Sequence, residues 1–218
     1  MNASRRKSAH RGGRPSRLEA ERLKDRILDA ASALFLTQGY GATSIESVAA
    51  RARVGKRTLY ARFRDKAELF GAVVHRLIAR LRPAGAENIF LGGGVEEILV
   101  RLADAILLAA LTPEALALFR MTVAEGARFP ELAAALDREG ARREAIDGIA
   151  RFLGSQIATG ALRPLADPAF AAEEFLQLVV SVPQRRALGL GAPMTEAELR
   201  AWARNAVNLF LEGCGRRG

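Results

Sequence analysis

Between Thr43 and Phe70 the chain sets hydroxyls and cations at short intervals: Thr43, Ser44, Arg53, Lys56, Arg57, Thr58, Tyr60 and Lys66. Such side chains offer hydrogen bonds and positive charge. The chemistry they suit is noncovalent recognition of an anion, and DNA supplies both phosphates and base edges. A guanidinium such as that of Arg57 can donate two parallel bonds to guanine, worth ~1–3 kcal/mol of discrimination. Tyr60 ends in a rigid hydroxyl suited to a phosphate. Thr43 and Ser44 open a helix whose free N–H groups and partial positive end favour phosphate, and Lys66 stands at the start of the next helix but one. Each position alone is explained as well by capping or by a solvated surface charge, so the inference rests on their joint placement.

The elements that must position these residues are helices. From Leu18 to Gln38, the apolar residues Leu23, Ile27, Ala30, Ala31, Leu34 and Phe35 recur at steps of three and four, giving one helical face, and Gly39 supplies a stop. Thr43 with Glu46 forms a capping box for a second helix that buries Ile45, Val48 and Ala49 and ends near Ala52. The chain then reverses over Ala52 and Arg53, with Val54 plugging the core. Gly55 is the N-cap of a third helix that turns Leu59 and Phe63 inward and Lys56, Arg57, Thr58 and Tyr60 outward. Asp65 with Glu68 opens a fourth helix reaching about Leu81. A supporting helix, a tight turn and a recognition helix compose a helix-turn-helix.

Charge is concentrated in the same region. Residues 1–66 hold 16 of the 33 Lys and Arg but 6 of the 24 Asp and Glu, so the whole excess behind the net +9 lies in the first third. A polyanion is drawn there with a steep salt dependence. The arm, residues 1–17, is basic, has almost nothing apolar to bury, and is expected to be disordered in isolation. Within it, Gly13-Arg14-Pro15 has the form of a segment that enters a narrow minor groove through Arg14.

Pro83, Gly85 and Gly92-Gly93-Gly94 break the helical pattern, placing a linker over 82–94 between a head over 18–81 and a C-terminal region over 95–213. Helices are expected at about Val95 to Leu111, Thr112 to Ala127, Pro130 to Thr159, Asp167 to Leu188 and Thr195 to Leu211, with Pro183 bending the penultimate one. No strand pattern appears, so the fold class is all-α.

The segment ILDAASALFLTQGYGATSIESVAARARVGKRTLYARFRDKAELF, Ile27 to Phe70, resembles the DNA-binding domain of TetR-type transcriptional repressors. The helix-one pattern, the Gly-Tyr before Thr43, the Leu-Tyr-x-x-Phe of helix three and the Lys-x-x-Leu of helix four occur in the family's order. Arg53 and Gly55 depart from it, standing where a turn Gly and a capping Ser are frequent. The segments LFRMTVAEGARFPELAAALDREG and VVSVPQRRALGLG are similar to the C-terminal domains of AefR-like members. The resemblance implies a homodimer, a double-stranded operator, an effector pocket in the C-terminal helices and release from DNA when a small molecule binds. It also implies dimerisation through the last two helices, which places Phe175, Val179, Val182, Arg186, Leu199, Trp202, Ala206 and Phe210 at that interface. For the pocket, the candidates by composition are Phe119, Met121, Glu125, Phe129, Phe152 and Phe175.

Other classes find less support. The single cysteine, Cys214, excludes an intrachain disulfide framework and a Cys-based zinc site, and cytoplasmic localisation is expected. The longest apolar run, Ala105 to Leu111, falls far short of the ~20 residues of a membrane span, so no membrane partner is expected. His10 and His75 have no carboxylate or Cys at a motif spacing, and Gly92–Gly94 lacks a following Lys-Ser/Thr, so a small helical enzyme, a metal site and a cofactor are not expected. A nonspecific architectural DNA-binding protein is the remaining alternative.

Overall fold

Gly39 sits at φ 88° with its N–H on the carbonyl of Phe35 at 3.0 Å, and the first helix stops there because a left-handed residue cannot continue it. The computed structural model describes residues 17–81, 88–139 and 141–214. Ten helices are found among them and no strand: α1 (Arg17–Gln38), α2 (Ile45–Ala52), α3 (Lys56–Tyr60), α4 (Lys66–Leu81), α5 (Val95–Ala110), α6 (Pro113–Glu125), α7 (Pro130–Glu139), α8 (Ala141–Ala158), α9 (Pro168–Ala187) and α10 (Glu196–Cys214). Three of them begin on the proline that the sequence sets at their first turn, where its missing N–H costs nothing.

Two cores organise these helices. The first holds the apolar faces of α1 to α4 around Ile27, Phe35, Val48, Leu59 and Phe70, all at most 1% exposed. It does not end with α4: Leu118 and Met121 of α6 and Leu132 and Ala135 of α7 are buried in the same cluster. The second core joins α5, α8, α9 and α10 around Leu99, Ile149, Leu153, Phe175 and Val207.

The stretch from Pro130 to Thr159 was expected as helix, and helix is described over Pro130–Glu139 and Ala141–Ala158, with residue 140 outside the described residues. Leu132 and Ala135 of its first part serve the first core, while Ile149, Phe152 and Leu153 of its second part serve the second. Helix α9 holds Pro183 within its length and runs to Ala187.

Among the described residues no single helix is long and apolar enough to cross a membrane; α5 and α6 qualify only as a pair, bent by 70°.

Candidate nucleic-acid interface

The start of α2 is capped by Ser44. Its Oγ accepts from the N–H of Ser47 at 3.0 Å, and Ser47 Oγ accepts from the N–H of Ser44 at 3.1 Å. The box is therefore Ser44 with Ser47, and the expected Thr43 with Glu46 box is not formed. Thr43 is 1% exposed and its hydroxyl donates to the carbonyl of Gly39 at 2.7 Å, closing the α1–α2 turn. With almost no surface, Thr43 is not placed to meet a phosphate, whereas Ser44 is exposed. Glu46 stays exposed, its carboxyl held below the usual range first by its own backbone N–H and then by Lys56, whose Nζ lies 3.1 Å from Glu46 Oε1.

The turn into α3 depends on Arg53, which adopts φ 54° and ψ 48°, the left-handed conformation, and is alone among described non-glycine residues in having positive φ. Its N–H reaches the carbonyls of Ala49 and Ala50, and the next N–H, of Val54, bonds Ala49 at 3.0 Å. Gly55 then caps α3 through its carbonyl, without a side-chain bond. Leu59 and Phe63 point into the core at 0% and 5% exposure, as expected from the spacing. On the opposite side Lys56, Arg57 and Tyr60 are exposed, and Thr58 is half-buried. Lys56 is committed to Glu46. Among the described residues, the side chain of Arg57 has no hydrogen bond or ion pair.

Lys66 does not face outward. Its Nζ donates to the carbonyls of Tyr40 at 2.9 Å and Thr43 at 3.2 Å, and lies 4.2 Å from the centre of the Tyr40 ring. Burial pushes its ammonium below the ordinary lysine range, against the favourable charges of Glu131 and Glu125. The phosphate contact expected of Lys66 is thus replaced by an internal one. Arg14 lies outside the described residues.

The six pocket candidates do not converge. Met121 is buried in the first core, Phe152 and Phe175 in the second, and Phe119 is 42% exposed. Glu125 accepts the N–H groups of Tyr40 at 3.0 Å and Gly41 at 2.6 Å, and Phe129 packs on the Tyr40 ring with centroids 5.1 Å apart. These two belong to a contact between the head and the α6–α7 corner. A groove between α1, α4 and α7, about 770 Å³, contains none of the six. Another, about 460 Å³, lies between Phe90, Gly92 and α8 and includes Phe152 alone of the six.

The interface candidates divide as well. Phe175, Val179, Ala206 and Phe210 are at most 9% exposed inside the second core of a single chain, so they have no face left for a partner. The stripe read as interface is where α9 and α10 meet each other, Phe175 against Phe210 at 5.0 Å between ring centres. Val182, Arg186, Leu199 and Trp202 remain half-exposed.

Sequence reasoning used Tyr40 only as part of the Gly-Tyr motif and missed its place in the fold: it is 1% exposed with its hydroxyl donating to Glu131 Oε1 at 3.0 Å. Burial first, then that bond and the charges of Glu131 and Asp65, raise the phenol far above its ordinary value. The signal was present as a large aromatic between Gly39 and Gly41, whose missing side chains make room for its surroundings.

Comparison with known proteins agrees with this architecture. Residues 27–73 match the family described as bacterial regulatory proteins, tetR family, and residues 97–214 match the AefR-like transcriptional repressor C-terminal domain. The chain is 28% identical to a TetR-family regulator from Mesorhizobium loti MAFF303099, with a TM-score of 0.77 over 93% of this chain and 100% of that one. It is 31% identical to the flavonoid-responsive regulator FrrA, with a TM-score of 0.74 over 91% and 100% of the two chains. Over 68 residues, 31% of each protein, it is 38% identical to the HTH-type transcriptional activator FasR of Mycolicibacterium smegmatis. The match thus spans under a third of that curated relative's length.

Proposed function

The chain belongs to the TetR family of bacterial transcriptional regulators, and on that premise we propose that it is a repressor that binds a pseudo-palindromic operator as a homodimer and leaves it when a small molecule binds. The family is one of regulators, which sets the enzyme reading aside. The observation that carries the operator reading is Arg57. Its guanidinium stands exposed and uncommitted on α3, between Lys56 and Tyr60, while its cationic neighbours Lys56 and Lys66 are engaged within the head. That is the condition for bidentate readout of a guanine. Ser44, Arg53, Gly55, Thr58 and Tyr60 fit phosphate and backbone contacts around it.

Repression rather than activation is supported by the extent of the matches. The likeness to AefR-like repressors runs over residues 97–214, whereas that to the activator FasR covers 68 residues. An effector is supported by the likeness to a flavonoid-responsive regulator, and planar aromatic compounds are therefore the first class to try. The groove beside Phe90 and Phe152 offers aromatic surface for such a compound. Dimerisation through α9 and α10 would use Val182, Arg186, Leu199 and Trp202, the candidates that keep some exposure. In this reading a head over 18–81 and a C-terminal region over 95–213 are joined by a linker over 82–94, and Leu118, Met121, Leu132 and Ala135 of α6 and α7 are buried with the head's core.

Selection of bound duplexes from a random pool tests this reading. The expected product is a two-fold related site preferred by about 10³ over random DNA at fixed salt, released on adding flavonoids. Equal binding to every sequence would instead identify a nonspecific DNA-binding protein.

A further inference from the structure

The turn between α1 and α2 is held from two sides by opposite charges. Its N–H groups, those of Tyr40 and Gly41, donate to the two carboxylate oxygens of Glu125, at 3.0 and 2.6 Å, from the end of α6. Its carbonyls, those of Tyr40 and Thr43, accept from the Lys66 ammonium at the start of α4. Hydrogen bonds with one ionised partner are the stronger kind, and here four converge on a segment of four residues. The Tyr40 hydroxyl extends the contact to Glu131 on α7, and the Phe129 ring covers Tyr40 from between the two helices.

The sequence makes room for the Glu125 carboxylate at both of its bonds. A Cβ placed at Gly39 would come within 2.3 Å of Glu125 Oε1, and one at Gly41 within 3.0 Å of Glu125 Oε2 and of Phe129. The Gly-Tyr-Gly turn is thus shaped to admit a carboxylate that lies 84 residues away in the chain. The turn leads directly into Ser44, the cap of α2, and α2 carries α3.

We propose that Glu125 is a positioning residue for operator binding: its carboxylate clamps the turn that aims α2 and α3, so the α6–α7 corner and the head together fix the DNA-reading geometry. The inference rests on the operator reading above. A head that reads two half-sites must hold α3 at a fixed angle to the rest of its protomer, because half-site spacing is a geometric property. Apart from the core, Glu125 and Glu131 supply the polar contacts between this turn and the C-terminal region among the described residues.

The experiment compares the full chain with Glu125→Ala and Glu125→Gln, measuring affinity for the selected operator and for random duplex at one salt concentration, below the unfolding temperature of each variant. Glu125→Ala is expected to lose about tenfold in operator affinity, the size of a typical coupling between two sites. Random-duplex affinity is expected to stay at the wild-type level. Glu125→Gln keeps one acceptor oxygen toward the turn and is expected to recover part of the loss, and it replaces Glu125→Ala should the latter fail to fold. Operator affinity unchanged in Glu125→Ala overturns the proposal, and so does an equal loss on both duplexes, which would mark a role in folding alone. A wild-type chain that selects no sequence overturns the operator reading itself, an outcome separate from these.

Discussion

The indole N–H of Trp202 donates to the backbone carbonyl of Val179 at 2.9 Å. That carbonyl is four residues before Pro183, in the interior of α9, and so lacks the helical N–H that would ordinarily bond it. Proline opens the site and tryptophan closes it, which fastens α10 to α9 at a defined register. Trp202→Phe keeps the ring but removes the donor, and is expected to cost ~1–3 kcal/mol by leaving the carbonyl without a protein partner. Pro183→Ala restores the helical donor. In that background Trp202→Phe is expected to cost less, and a double-mutant cycle in denaturant unfolding measures the difference. Strictly additive effects would mean that the two residues do not share the carbonyl.

Arg57 and Lys56 are neighbours with different commitments, and the difference is testable. Arg57→Ala is expected to relax base preference at one or two operator positions, with ~1–3 kcal/mol less discrimination there. Lys56→Ala frees Glu46, which then opposes phosphate from the first turn of α2. It is expected to weaken binding on all sequences without altering preference. Site selection repeated with each variant checks both, and an unchanged preference in Arg57→Ala would count against its role as base reader.

Lys66 points inward, so a substitution there should separate stability from electrostatics. Lys66→Met leaves the Tyr40 and Thr43 carbonyls without their ammonium and is expected to lower stability by about 1 kcal/mol. The slope of log affinity against log salt is expected to remain at the wild-type value, because no phosphate contact is lost. A slope reduced by about 1 would restore Lys66 to the DNA surface.

At Arg53 the chain accepts a backbone conformation that side chains disfavour. Left-handed φ and ψ cost a residue with a Cβ roughly 1–2 kcal/mol relative to glycine, so Arg53→Gly is expected to raise the stability of the head by about 1 kcal/mol. The same substitution removes an exposed cation. If Arg53 meets the operator, affinity falls while the unfolding midpoint rises, and the two measurements move in opposite directions. A lower midpoint would mean that the Arg53 side chain holds the turn through contacts of its own.

What could be read in advance follows from the range of the interactions. Helix faces and the recognition turn depend on neighbours three or four residues away, so Leu59, Phe63 and the Arg53 turn were legible as such. The α2 cap was placed one residue too early: the box read as Thr43 with Glu46 is formed by Ser44 with Ser47, because Thr43 is buried under the turn. Lys66 was misplaced because its partners lie 26 and 23 residues upstream, and Glu125 because its partners lie 85 and 84 away. The apolar stripes of α9 and α10 were visible, but a stripe does not say whether its partner belongs to the same chain. Here Phe175 and Phe210 satisfy each other.

Tyr40 gives the head a signature in alkali. Its phenol is held protonated in the folded chain by burial and by the bond to Glu131, whereas an unfolded tyrosine ionises near ~10. Below that value both states keep the proton and stability is unaffected. Above it, the unfolded state loses the proton first, so this group makes stability fall as pH rises. Lys66 works in the opposite sense as alkali approaches its ordinary value of 10.5, because the folded state gives up its proton before the unfolded state does. Tyrosinate absorbance isolates the phenol from the amine. The chain has two tyrosines, so Tyr60→Phe leaves Tyr40 as the sole reporter. Its absorbance is expected to appear only together with loss of helical structure, and Glu131→Gln, which removes the charged acceptor, is expected to bring it to lower pH. A step at the ordinary tyrosine value in an otherwise folded chain would show that the contact between Tyr40 and Glu131 does not form in solution.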